Sequence, residues 1–261
     1  MEKFNQAIQQ ESTIMEAGQS LEAMFDEAEK NRISIESFKG CGVFPDRIID
    51  ADIAHVLKLQ ESYRRIADRQ TPQERAIHEE AKTIEKMLPH TIREAGWLGE
   101  VDTILASVYD DYVNGVDTII QIRKPGAGTF GMEMDLTSSR TEMMEKIKEA
   151  TQRLKTRGPS VVKYYDSPTT GKVGSVQLPR IIFGDSRNIM TDFATIAAEA
   201  YSDTPNMKAR EQLRTHKLKA DFINVLKYQL EYFGKLSRDL GYKEYSKQHY
   251  DLLSYISQLG L

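Results

Sequence analysis

The chain has 261 residues, of which 40% are hydrophobic and 28% are charged, a composition typical of a folded globular protein. Its formal net charge of −4 at pH 7 excludes binding of nucleic acid through overall charge, so any such binding needs a local basic patch. One cysteine excludes an internal disulfide, and the lack of an apolar run of roughly 18 residues predicts a cytoplasmic protein without a membrane partner.

Residues 1–90 are predicted to form a helical region. They are rich in Glu, Gln, Lys, Arg and Ala, show no two-residue alternation, and are divided by prolines into three or four helices. Between Ile49 and Ile66 apolar residues recur every three or four positions, which places them on one helical face. Such a stripe is typical of a core or of a partner-facing surface. We therefore expect either a buried seam or a homo-oligomer or protein partner bound through the helical ends.

Residues 91–203 are predicted to form an α/β core. A helix is expected from Ala95 to Tyr112, because apolar residues there recur with helical spacing. The dipeptide Asn114-Gly115 suits left-handed backbone angles and would end this helix. Two strands follow, V-D-T-I-I-Q-I and F-G-M-E-M-D-L, and the glycine-bearing segment between them predicts a hairpin.

The pattern after the hairpin predicts a helix capped by Thr141. Short buried strands are expected at residues 161–165 and 180–185, separated by a loop, with a helix from Asn188 to Tyr201 behind them. Residues 204–261 are helical again. The predicted fold class is therefore α/β (α+β), a small mixed sheet with a hairpin between helical N- and C-terminal extensions.

The predicted hairpin brings acidic side chains together. Alternation along the second strand places three polar side chains on one face, Glu133, Asp135 and Thr137. If Ile122 pairs with Phe130, Asp117 falls opposite Asp135. Like charges opposed at about 5 Å destabilise a sheet, although open water reduces that cost to tenths of a kcal/mol. A divalent cation such as Mg²⁺ or Mn²⁺ would reverse the repulsion, since it prefers hard oxygen ligands.

These motifs, "NGVD" and "MDLTSS", carry a family resemblance. The stretch from roughly Gly96 to Ala200 resembles the core of the PD-(D/E)xK nuclease superfamily. Its predicted order is a helix, a strand that begins Gly-Val-Asp, a glycine-bearing loop, a strand that ends in acid-x-polar, a helix and a strand. The resemblance implies that Asp117 is the first metal-binding acid, and that Asp135 or Glu133 is the acid of the second half-motif. It implies hydrolysis of a phosphodiester in DNA or RNA with Mg²⁺ or Mn²⁺.

The superfamily lysine is replaced here. Thr137 stands two residues after Asp135, and threonine has no charge with which to stabilise a developing phosphate anion. In some members the lysine has moved to another element, which makes Lys163 the first substitute and Lys146 the second. Asp110 or Asp111 would supply a further acid, because two acids at a helix C-terminus oppose its dipole. The predicted catalytic set is Asp117, Glu133, Asp135, Thr137 and Lys163, and the predicted metal set is Asp117, Asp135, Glu133 and Asp111.

A basic surplus adjoins the acids, and two other functions stay open. Residues 140–180 hold nine Lys or Arg against four acids, a balance of +5, which suits a phosphate-binding surface or a solvated helix face. The missing lysine favours a catalytically inactive nuclease-like protein that serves assembly or partner binding. A further resemblance is to haloacid-dehalogenase-like phosphatases, two of whose motifs are similar to E-M-D-L-T-S-S and I-I-F-G-D. In that interpretation Glu133 occupies the position of the nucleophile.

Overall fold

A small mixed sheet lies between helices in the structure, a computed structural model that describes residues 21–124, 128–137, 139–202 and 206–259. The helices are α1 Glu22–Lys30, α2 Asp46–Ala67, α3 Pro72–Glu94, α4 Arg140–Arg157, α5 Arg187–Tyr201, α6 Met207–Thr215, α7 Lys217–Asp239 and α8 Lys243–Gln258. The strands are β1 Val101–Leu105, β2 Thr118–Lys124, β3 Gly128–Leu136, β4 Val162–Asp166, β5 Val173–Val176 and β6 Arg180–Phe183. Short helical turns cover Glu36–Phe38 and Asp110–Asn114, the second of them π-helical. The predicted fold class is confirmed.

The main sheet has the strand order β1-β2-β3-β6. Its first three strands form an antiparallel meander, and β6 runs parallel to β3. Parallel neighbours need a crossover connection, which α4 and the separate β4-β5 hairpin provide. The start of β2 and the end of β3 therefore lie at one edge of the sheet, next to the start of α4.

The predicted register of the hairpin is confirmed. Ile122 pairs with Phe130 and Ile119 with Glu133, whereas the turn at 125–127 lies outside the described residues. Ile120 packs into the largest core cluster, and Ile119, on the opposite face, packs into a second one. Both faces of β2 are buried, so the acidic face of the hairpin is not an open, solvated surface.

The predicted helix from Ala95 to Tyr112 is wrong. α3 ends at Glu94, and Gly96 and Gly99 adopt φ angles of 63° and 79°, which turn the chain into β1. A short apolar run fits either period, and pairing with the buried strand β2 favours the extended form. Gly115 ends the π-helical turn with φ 66° and ψ 46°, as its position after Asn predicted.

Two smaller predictions in the core also need correction. Ser139 rather than Thr141 caps α4, because the Ser139 hydroxyl accepts a hydrogen bond from the Glu142 N–H at 3.2 Å. The segment expected to be a loop contains β5, which pairs with β4 around a glycine at φ 120°. The strands predicted at 161–165 and 180–185 and the helix predicted from Asn188 are present as β4, β6 and α5.

The largest core cluster takes residues from all three predicted regions, among them Leu88, Met134 and Phe222. Trp97 is fully buried in it, and its indole N–H donates to the carbonyl oxygen of Leu213 at 2.9 Å, so burial leaves no unpaired donor. The boundaries drawn between the regions stay predictions. No helix in the described part of the chain is long and apolar enough to cross a membrane.

Candidate functional site

Two acids meet where β2 begins and β3 ends. Asp117 directly precedes β2, and its Oδ2 accepts a hydrogen bond from the Leu136 N–H at 3.0 Å. Asp135 is the penultimate residue of β3. Both line a groove of about 670 Å³ along α4, which we call the α4 groove. The sequence prediction placed these two residues together, and the structure does the same.

Two cations hold the carboxylate of Asp135. Lys146 Nζ, on α4, lies 2.7 Å from Oδ1, and Arg180 Nη2, at the start of β6, lies 2.6 Å from Oδ2. Arg180 also donates to the carbonyl oxygens of Asn114 and Gly115. Because Asp135 is buried, removal of either cation would leave part of its charge uncompensated.

Lys146, rather than Lys163, is the lysine at the carboxylates. Lys163 pairs with Asp52 and lies over the ring of Tyr109, 4.8 Å from its centroid. Side chains on a helix tilt toward its N-terminus, so a lysine about two turns into α4 reaches back to the end of β3. The first substitute chosen from the sequence therefore belongs to a separate aromatic cluster, and the second lies in the α4 groove.

Thr137 and Glu133 do not line the α4 groove. The Thr137 hydroxyl donates to the Ser139 carbonyl at 2.9 Å, and a Cβ on Gly184 would come within 2.2 Å of Thr137 Oγ1. The Thr137 side chain therefore packs directly against the backbone of Gly184. Glu133 is 1% exposed, lies 3.9 Å from Arg180 Nη1, and has its pKa raised by burial. Both residues are buried under the site instead of facing it.

Of the two acids in the π-helical turn, only Asp111 faces the groove. Asp110 is fully buried. Its carboxylate accepts four hydrogen bonds, from Ser107 Oγ, Asn114 Nδ2 and the backbone N–H groups of Lys163 and Tyr164. Asp111 lines the α4 groove and lies 3.3 Å from Arg32 Nη1. Asp110 thus fixes β4 to the turn, and Asp111 is the acid available to the site.

Glu85, on α3, is an acid that the sequence analysis missed. It lines a second groove, of about 680 Å³, together with Asp111 and Asp117; we call this the α2–α3 groove. Burial, followed by the charges of Asp117 and Asp111, raises the pKa of Glu85 to about 8. A glutamate on a polar helix gives no sequence signal of its own, and only the packing of α3 beside β1 brings it to this edge.

Burial, followed by repulsion between acids, sets the electrostatics of the site. Burial and the charge of Asp135 raise the pKa of Asp117 to about 7, although the Leu136 N–H lowers it. Burial also raises the pKa of Asp111. Burial lowers the pKa of Lys146, but the attraction of Asp135 and Asp117 more than offsets this, so Lys146 is charged at neutral pH. A divalent cation would relieve the repulsion and displace protons from these carboxyl groups.

The donor set fits a divalent cation through three acids. Asp117, Asp111 and Glu85 offer hard oxygen ligands from three elements around one groove. Asp117 Oδ1 has no hydrogen-bond donor among the described residues, whereas both oxygens of Asp135 are already paired. Within residues 21–259, leaving out the gaps given above, no three Asp, Glu, His or Cys side chains already form a metal site. Binding would therefore require side-chain rotation.

Comparison of the chain with protein-family models, curated proteins and solved structures gives no match. A fold by itself does not determine a function, so the inference rests on the chemistry of the site.

Proposed function

We propose that the protein hydrolyses phosphodiester bonds of DNA or RNA with Mg²⁺ or Mn²⁺, as a divergent member of the PD-(D/E)xK superfamily. The observation that carries the proposal is the position of Lys146 Nζ, 2.7 Å from Asp135 Oδ1 and in the same groove as Asp117. The order of the β2–β3 hairpin, α4 and a parallel β6 supports it, because the resemblance implies a hairpin, a helix and a strand. The helix that the resemblance also implies before the hairpin is replaced by β1 and the π-helical turn.

Each residue at the edge has a separate task in this proposal. Asp117, with Asp111 and Glu85, would hold the cation, which when bound polarises the phosphate and lowers the pKa of an attacking water. Lys146 would supply the positive charge that Thr137 cannot, against the charge that develops on the phosphate. To do so its Nζ would move from Asp135 to a phosphate oxygen, while Arg180 keeps Asp135 neutralised.

A second candidate is a catalytically inactive nuclease-like protein that binds a partner. Asp135 already has a cation on each oxygen, which suits a site that no longer binds metal. α2 also exposes Leu57 and Ile66, at 60% and 55%, and these apolar side chains could contact another protein. The geometry does not favour the phosphatase interpretation, because Glu133, its nucleophile position, lies outside the lining of both grooves.

Calorimetric titration with Mn²⁺, combined with a cleavage assay on DNA and RNA, separates the first two functions. We expect the wild-type protein to bind Mn²⁺ and cleave, and Asp117→Asn to lose both properties. Lys146→Ala should bind Mn²⁺ but cleave about 10²- to 10³-fold more slowly, the usual effect of removing one group that stabilises a transition-state anion. Arg214→Ala, on exposed α6, is the matched control for loss of a positive charge.

Comparison with Lys163→Ala decides which lysine acts. If Lys163→Ala abolishes cleavage and Lys146→Ala does not, the assignment of the lysine is wrong. A wild-type protein that neither binds Mn²⁺ nor cleaves supports the inactive, partner-binding candidate.

A further inference from the structure

We propose that the two grooves together bind a single strand of nucleic acid, with its phosphates on α4 and an unpaired base against Tyr63. This inference rests on the proposed function, because it names the substrate of the same site. The grooves adjoin each other, since Asp111, Tyr112 and Asp117 line both of them. Each volume lies within the roughly 300–1,000 Å³ range of ligand pockets. A strand that follows both grooves therefore passes over the acids.

The α4 groove carries two arginines, Arg153 and Arg157, that form no ion pair with the described residues, although Glu149 also lines it. Arg153 and Arg157 are four residues apart on α4, so they are neighbours on one helical face. Arg153 makes contacts of 3.4 and 3.5 Å, to the backbone and side-chain oxygens of Asn114, and has no carboxylate partner among the described residues. Burial and the charge of Arg180 lower its pKa. A bound phosphate would relieve this crowding of like charges.

Arg157 strengthens the argument for phosphate. It is exposed at the end of α4, lines the α4 groove, and forms no hydrogen bond or ion pair with the part of the chain that the structure describes. Arginine forks bind phosphate oxygens through paired hydrogen bonds. These two guanidinium groups form no ion pair within the described ranges and line the same groove as Asp111 and Asp117. They are therefore placed to hold phosphates next to the one that is cleaved.

The α2–α3 groove supplies an aromatic surface. Tyr63 is 54% exposed, and its ring meets that of Tyr112 edge to face, with centroids 5.5 Å apart. Arg64 and Lys82 line the same groove. Aromatic side chains among cations bind single strands by stacking on exposed bases. A duplex hides the faces of its bases, so Tyr63 can discriminate in favour of a single strand.

Fluorescence anisotropy in EDTA tests the inference without hydrolysis. The probes are labelled oligo-deoxythymidine and oligo-uridine of about 15 nucleotides, and a hairpin duplex of equal charge, measured over a range of salt. We expect at least one of the two single strands to bind at least about tenfold more tightly than the duplex, because a duplex hides the base faces that would stack on Tyr63. Comparison of the affinities for oligo-uridine and oligo-deoxythymidine shows whether the protein prefers RNA, in which the 2′-hydroxyl is available for contact, or DNA.

Variants locate the path of the strand. Tyr63→Ala should weaken single-strand binding at least about fivefold, while Tyr63→Phe, which keeps the ring, stays within about twofold. Arg153→Gln should reduce the slope of log affinity against log salt by about 0.7, the value for one phosphate contact on a single strand. Tyr228→Ala and Arg214→Gln are controls, since these exposed residues line neither groove.

The outcomes are distinct. Duplex affinity equal to or above single-strand affinity, no binding of either strand, or an unchanged affinity in Tyr63→Ala overturns the inference, as does an equal loss in Tyr228→Ala. Thermal melts of every variant must match the wild type for these readings to count. Single-strand binding that depends on Tyr63 and Arg153, without cleavage in Mn²⁺, would remove the proposed hydrolysis and leave the binding inference standing.

Discussion

Substitution of Asp117 by Asn should stabilise the metal-free protein at alkaline pH. The folded protein holds the pKa of Asp117 near 7, against an ordinary value of 3.8, because of burial and the charge of Asp135. A group with a raised pKa in the folded state contributes full stability below its unfolded pKa, and that contribution is lost as pH rises through 7. The neutral amide of asparagine avoids the loss, and its oxygen can still accept the Leu136 N–H.

The structure sets the size of this effect. The gap between 3.8 and about 7, at about 1.36 kcal/mol per pH unit, gives a ceiling of about 4 kcal/mol for the cost of ionising Asp117 in the fold. Glu85 shares the repulsion, and its own pKa of about 8 falls when the neighbouring charge is removed. That relief of Glu85 adds to the gain, whereas solvent in the two grooves that Asp117 lines screens part of its charge and reduces the cost of ionisation. We expect about half the ceiling, about 2 kcal/mol at pH 8.5, which corresponds to a rise in Tm of about 4–8 °C.

Urea unfolding and calorimetry in EDTA, at pH 5 and pH 8.5, measure the gain. The matched control is Asp102→Asn, whose carboxylate pairs with exposed Arg123 at 2.6 Å and should give no gain at high pH. A gain of equal size at both pH values would refute the electrostatic reasoning, and so would no gain at all. Adding Mn²⁺ at pH 8.5 should stabilise only the wild type, because the variant has lost a ligand.

Three further substitutions test the supports of the site, each by urea unfolding. Gly184→Ala should lower the free energy of unfolding by about 1–3 kcal/mol, because its Cβ would meet Thr137 Oγ1 at 2.2 Å. An unchanged stability would show that the end of β3 adapts to the added methyl group. Asp110→Asn should lower the free energy of unfolding by about 1–3 kcal/mol, because the amide N–H₂ would face the donors of Asn114 and Lys163. Asparagine has nearly the same size as aspartate, so an unchanged stability would refute the role given to these hydrogen bonds. Lys163→Met should lower stability through Asp52 yet leave Mn²⁺ binding unchanged; weaker Mn²⁺ binding would place Lys163 in the site after all.

Local patterns in the sequence were enough to predict the hairpin and its register. Two-residue alternation and a glycine-bearing turn fix which side chains share a face, and a slip by one residue would move Ile120 from the largest core cluster to the opposite buried face. The sequence therefore predicts that Asp117 and Asp135 lie close together, as they do in the fold. The π-helical turn before β2 was also marked locally, by Gly115 after an asparagine.

Long-range contacts could not be predicted in this way. Glu85 reaches the edge of the sheet because α3 packs beside β1. The sequence of β1 predicts a helix, so no sequence pattern joins the two elements. Arg180 is the one charged residue of an apolar strand, yet its partner depended on which strand β6 would join. Periodicity identifies faces within an element, and pairing between distant elements is decided by packing.

The choice between the two lysines shows the same limit in a single case. A lysine inside an apolar strand suggests a functional charge, which makes Lys163 the first choice from the sequence. In the fold, however, Lys163 pairs with Asp52 and lies over the ring of Tyr109. Lys146 was one of many cations on a polar helix. What distinguishes it is the position of α4, which begins beside the end of β3, so that an ammonium about two turns into the helix reaches Asp135. The role of Lys146 thus follows from the packing of α4 against the end of β3, a contact between two elements that no pattern within either one predicts.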